Sequence, residues 1–144
     1  MRKLLISIDG HSAARMQSAI TEAIGIYRQD PVDVFLLSVQ PAVSGHVAMF
    51  FDAGELYEIQ QQSANEELAP AMALLDLAGV PYTSSVVVGR HAESIARRAR
   101  ELGCDRIVIG RDDSEGFAGR IFGGLVGQVR HLVGVTGDCQ VLGS

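Results

Sequence analysis

Positive charge is in short supply in this chain. Lysine and arginine number 12 against 17 aspartates and glutamates, a formal net charge of -5. A protein that holds nucleic acid or an acidic membrane by general attraction needs the opposite balance. The basic residues that do gather, Arg90, Arg97, Arg98, Arg100 and Arg106, interleave with Glu93 and Glu101 and read as a solvated helix face. Cysteine is scarcer still. Cys104 and Cys139 form no C-x-x-C pair and have no metal-ligand spacing, which fits a reducing compartment with inert, half-buried thiols. No apolar run approaches the length of a membrane span. The opening Met1-Arg-Lys-Leu-Leu-Ile-Ser-Ile-Asp9 meets an acid too early to serve as a signal-peptide core. A soluble cytoplasmic protein, with no membrane or nucleic-acid partner, is the expectation.

The usual seats of catalysis are missing as well. There is no G-x-x-x-x-G-K-[S/T] loop, so ordinary ATPase or kinase mechanics have no place to sit. Ser7, Ser12, Ser38 and Ser114 lack a G-x-S-x-G context. His11, His46, His91 and His131 are scattered, with no H-x-x-x-H pair, and read as solvated or capping residues. The chain is expected not to be an enzyme, and no catalytic residue and no metal ligand can be named.

What is present is a strong alternation of periods. With 47% hydrophobic and 20% charged residues, 144 residues make one globular domain with a real core. Residues 3–8 read as a buried strand ended by Asp9-Gly10. Ser12 is an N-cap candidate for a helix whose stripe is Met16, Ala19, Ile20, Ala23, Ile24 and Tyr27. Gln29-Asp30-Pro31 closes it. Residues 32–39 form a nearly all-apolar second strand, suited to a sheet covered on both faces. A long loop is expected over 41–54, then a helix over 55–77 with Leu56, Ile59, Leu68, Met72 and Leu75 inward and a kink or break at Pro70. A third strand over 82–88, a third helix over 91–102 and a fourth strand at Ile107-Val108-Ile109 follow. An amphipathic helix over 125–133 and a short strand over 139–142 complete the chain. The order β-α-β-α-β-α-β-α-β predicts an α/β fold: a doubly wound, five-strand parallel sheet with helices on both faces. Ligands of such sheets bind beyond the carboxyl ends of the strands, where the strand order reverses.

The stretch from Asp105 to Gly124 stands out at one such end. The fourth strand stops at Gly110, glycines recur at Gly116, Gly119, Gly123 and Gly124, and a helix begins. Glycines let backbone N–H groups approach a phosphate, and a helix N-terminus adds the positive end of its dipole. A tight strand-to-helix turn also wants glycine, so the spacing alone leaves both readings open.

The ordered set of segments resembles the universal stress protein family. It comprises Leu4-Leu-Ile-Ser-Ile-Asp-Gly10, Gly89-Arg-His-Ala-Glu-Ser-Ile95, Asp105-Arg-Ile-Val-Ile-Gly110, Gly116-Phe117, Gly123-Gly124-Leu125-Val126, Val129-Arg-His131 and Cys139-Gln-Val-Leu142. The resemblance runs through essentially the whole chain and implies a single domain of residues 1–144 with an adenine nucleotide alpha-hydrolase-like, Rossmann-like fold. It also implies an ATP or AMP site built on the signature G-x2-G-x9-G-[S/T]. Here the signature positions are Gly110, Asp113, Gly123 and Gly124, so two of the four depart from it. Asp113 puts a carboxylate near the phosphates, at a cost of about 1 kcal/mol or more. Gly124 removes a hydroxyl donor whose hydrogen bond to a phosphate oxygen is worth about 1.5–3 kcal/mol. Together the two predict affinity weakened by about two to three powers of ten. By resemblance, Ser7, Ile8 and Asp9 border the adenosine, Val39 lies against the base, and Leu125 and Val126 follow the phosphate glycines. Asp9 fits either a ribose contact or a cap on the following helix.

Two functions follow. In the first, this is a stress-response regulator with a weakened or altered AMP/ATP site and no metal beyond the magnesium that accompanies ATP. In the second, it is a nucleotide-independent dimeric stress protein acting through protein–protein contacts. The resemblance implies a homodimer through the C-terminal edge strand, with Val141 and Leu142 as its apolar residues. Substrate-activating ATP enzymes of the wider α/β group need further pyrophosphate-binding residues, and the chain has none.

Overall fold

The computed structural model describes residues 2–8, 12–42, 49–110, 124–134 and 139–143. Within them the chain runs β1 (Lys3–Ile8), α1 (Ala13–Gln29), β2 (Asp33–Gln40), α2 (Ala53–Leu77), β3 (Tyr82–Val88), α3 (His91–Leu102), β4 (Arg106–Ile109), α4 (Gly124–Gly134) and β5 (Gln140–Gly143). The strands make one five-stranded sheet in the order β3-β2-β1-β4-β5, and each neighbouring pair is parallel. β1 is central. The chain winds from it to β2 and β3, then returns across it to β4 and β5, so the order reverses between β1 and β4.

Strand periodicity divides the core in two. Leu4, Ile6 and Ile8 face one side, where Met16, Ala19, Ile20 and Ala23 of α1 and Leu68, Ala71 and Leu75 of α2 cover them. Leu5 faces the other side with Leu37 and Ile107, beneath Ile95, Ala96 and Ala99 of α3 and Val129 and Val133 of α4. All three central β1 residues Leu4, Leu5 and Ile6 are fully buried, as a strand covered on both faces requires.

The helix ends follow local chemistry. Ser12 Oγ accepts from Arg15 N at 3.1 Å and starts α1. Asp52 does the same for α2, accepting from Glu55 N at 2.7 Å, so that helix begins two residues earlier than the apolar pattern predicts. α3 ends on Gly103 at φ 73, with Cys104 N donating to Ala99 O at 2.8 Å and Gly103 N to Arg100 O at 3.2 Å.

α2 is one helix from Ala53 to Leu77, so the chain does not break at Pro70. Proline costs the carbonyl of Glu66 its helical donor, and since Glu66 and Pro70 are both exposed, solvent can supply one. Ile59, expected inward, is 50% exposed, and burial begins only at Ala64. The reason is length. Twenty-five residues of helix span about 37 Å, against about 26 Å for the eight residues of β2. The first turns of α2 therefore project past the carboxyl edge of the sheet.

Candidate functional site

The crevice at the strand-order reversal is bounded by the ends of β1 and β4, where Ser7 lies opposite Ile109. Ser7 is 4% exposed and shares the α3/α4 side of the sheet with Leu5 by strand alternation. Its hydroxyl lies 3.4 Å from His91 Nε2, the first residue of α3. Val39, one step past Ser38 (the partner of Ile8), is half-buried on the same side, as are Leu125 and Val126 at the start of α4. The fold thus brings Ser7, Val39, Leu125 and Val126 to one face of one end of the sheet. Ile8 belongs to the α1/α2 core, so only its backbone can border this space. Asp9, Asp113 and Gly123 lie outside the described residues.

Two glycines of the signature have different physical reasons. Gly110 does not adopt a positive φ; its side-chain position is occupied by the backbone of α1, since a Cβ there would fall within the Arg15 carbonyl. Gly124 does adopt one, φ 42, as it opens α4. The first turn of α4 carries no acidic residue, so no carboxylate competes there for an anion.

Sequence reasoning missed two features. His91 is half-buried beside Ser7 rather than simply solvated, which only the packing of α3 on β1 reveals. On the opposite side, Ser38 Oγ donates to Glu67 Oε2 at 2.8 Å and accepts from Gln40 Nε2 at 3.0 Å. Ser38 is 0% and Gln40 4% exposed, so this chain of polar groups fixes the carboxyl end of β2 against α2. Glu67→Ala removes the acceptor of the Ser38 hydroxyl and is expected to cost about 1–3 kcal/mol in urea unfolding, whereas Glu67→Gln, which keeps an acceptor, should cost less than half as much.

Among the described residues no group of three or more His, Cys, Asp and Glu side chains could hold a metal ion, and no helix is long and apolar enough to cross a membrane. Along its length the chain is similar to known proteins. The profile of the universal stress protein family matches residues 1–135. The chain belongs to the universal stress protein family. A universal stress protein of Synechocystis is 29% identical over 150 residues, covering 97% of this chain and 95% of the relative. A universal stress protein solved in complex with cAMP superposes with a TM-score of 0.73 at 15% identity, covering 99% of this chain and 96% of that one. The Archaeoglobus fulgidus universal stress protein in complex with dAMP gives 0.64 at 19% identity, covering 99% and 97%. At those identities the two solved structures show the shared fold: a parallel α/β sheet of the universal stress protein type.

Proposed function

We propose that this universal stress protein is a nucleotide-responsive regulator that binds AMP or ATP weakly in the crevice between β1 and β4. The observation that carries the reading is the convergence of Ser7, Val39, Leu125 and Val126 on one face of that crevice, beside the acid-free opening turn of α4. An apolar pair of walls suits a base, and exposed N–H donors at a helix start suit a phosphate. The solved relatives with cAMP and dAMP support an adenine nucleotide as the ligand class. The nucleotide would bias loop order or dimer geometry rather than be consumed, with magnesium entering only as the companion of ATP. A cytoplasmic location belongs to the same reading.

Equilibrium dialysis with labelled ATP and AMP is expected to show saturable binding no tighter than micromolar. Flat binding at millimolar ligand would overturn this reading and select a nucleotide-independent protein that works by contact with other proteins. Met49, Phe50 and Tyr57, which are 82%, 74% and 63% exposed around the start of α2, favour that second reading.

The homodimer remains part of the proposal, and β5 is a sheet edge as it requires. Its apolar residues are less exposed than expected: Val141 is 5% exposed and Leu142 packs against the α1/α2 core. Arg130 also donates to Val141 O, through Nη2 at 3.2 Å and Nε at 3.4 Å. Strand pairing at that carbonyl therefore has to displace a guanidinium.

A further inference from the structure

We propose that Cys104 and Cys139 form an intrachain disulfide when the protein meets a hydroperoxide, tying the start of β4 to the start of β5. Both thiols are free and both line one cavity of about 390 Å³ at the amino end of the sheet, with Ala99, Arg100, Gly103, Asp105 and Val133. They point the same way: each packs against the α3/α4 core.

Register brings the two backbones within reach of each other. Arg106 pairs with Gln140, and Gln140 N donates to Asp105 O at 2.9 Å, so Asp105 stands beside Cys139. Cys104 is one residue further back. Neighbouring strands lie about 4.8 Å apart, and Cys104 sits in the helix-ending turn just before that paired position with its thiol on the same side as Cys139, so the pair is placed to meet the Cα separation of about 4.4–6.8 Å that a disulfide spans. The helix-ending turn at Gly103 and the Lys3 ammonium, donating to Leu102 O at 2.9 Å, hold Cys104 in place from α3 and β1.

The two thiols have unequal roles. Cys139 is the more accessible and takes the oxygen first. Its sulfur attacks the peroxide, an S–O bond forms, the O–O bond breaks, and the peroxide leaves as an alcohol or water. Cys104 then attacks the sulfenic sulfur. The S–S bond forms, the S–O bond breaks, and the hydroxide departs with the Cys104 proton as water. Two thiols lose two electrons and one peroxide gains them.

The surroundings make the reaction slow at neutral pH. Burial first, then Cys139 and Asp105, push the Cys104 thiol up to about 12 against the pull of Lys3 and Arg98. Burial and then Asp105 push Cys139 up to about 11. Among the described residues, Arg100 is the other charged group lining the cavity. Both sulfurs are therefore neutral near pH 7, and the thiolate fraction grows tenfold for each unit of rising pH until those values are reached. The ring so closed contains Gly110 and the whole of α4, so oxidation would tether the segment that carries the candidate phosphate end of the site. The disulfide itself forms whether or not a nucleotide binds.

The test is to treat the reduced full chain with hydrogen peroxide and count thiols in denaturant. The expected result is a fall from two thiols to none, loss of two hydrogen atoms in mass, and a digest in which the Cys104 and Cys139 peptides are joined within one chain. The rate should rise about tenfold per unit between about pH 7 and pH 9. In Cys104→Ser a sulfenic acid should be trapped by dimedone at Cys139. If that variant does not fold, the peptide map of the unaltered protein still decides. Two thiols surviving prolonged peroxide at the upper pH, or a bond found only between chains, would overturn the proposal.

Discussion

Gly110→Ala is expected to destabilise the fold by about 3 kcal/mol or more in equilibrium urea unfolding, at the top of the range for inserting one carbon into a filled space. The added Cβ would overlap the Arg15 carbonyl, with the Arg15 Cα only 2.9 Å away. All these atoms are backbone. Arg15 lies in the first turn of α1, pinned by the Ser12 cap, so it cannot rotate aside as a side chain would. Relief requires α1 to move away from β4, which opens the core formed by Met16, Ile20 and Val108. Gly25→Ala supplies the contrast. Gly25 lies inside α1 with nothing within 4 Å of its missing Cβ. Alanine there should stabilise by about 0.5–1 kcal/mol through the lower entropy of the unfolded chain. The same chemical change with opposite signs isolates close approach as the cause. A Gly110→Ala protein as stable as its parent would show that α1 does not press on the end of β4.

Gly110 also shows where sequence reasoning reaches its limit. The run Ile107-Val108-Ile109 ending at a glycine marks a strand, which is found, and a turn, which lies outside the described residues. Local spacing offers two reasons for the glycine, a phosphate or a tight strand-to-helix turn. The actual neighbour is a backbone carbonyl from a helix far earlier in the chain, and no local pattern encodes that contact. The elements themselves were legible because period and capping are local: Met16, Ala19, Ile20 and Ala23 are the buried stripe of α1 as predicted, and α3 spans 91–102 as predicted. Ile59 was misplaced because helical periodicity tells which side a residue faces and not whether the sheet extends that far. Within the site, Val39 is legible as a strand end, while Ser7 is reached only through the family resemblance. The turning of Ile8 into the opposite core is a consequence of strand alternation, which was available in the sequence once β1 was fixed as central. His91 was not legible, since its place beside Ser7 depends on where α3 crosses β1.

Restoring the two signature residues should tighten ATP binding by about one to two powers of ten, rather than the two to three that residue chemistry alone suggests. Asp113→Gly removes a like charge near the triphosphate, a gain of about 1 kcal/mol or more. Gly124→Ser supplies a hydroxyl whose bond to a phosphate oxygen is worth about 1.5–3 kcal/mol. The backbone at Gly124 opposes the second change. At φ 42 it occupies the left-handed region, where a side chain costs about 1–2 kcal/mol. Serine therefore keeps only part of its benefit, and in binding assays Asp113→Gly should account for a steadier share of the gain. Urea unfolding separates the two terms: Gly124→Ser should lower stability by about 1–2 kcal/mol without ligand, and ATP should restore more of it than in the parent protein. The reading of a weakened nucleotide site requires that the double variant, measured by equilibrium dialysis, bind ATP more tightly than the parent. If it gains nothing while still folded, the weakness lies in the shape of the crevice and not in these two residues.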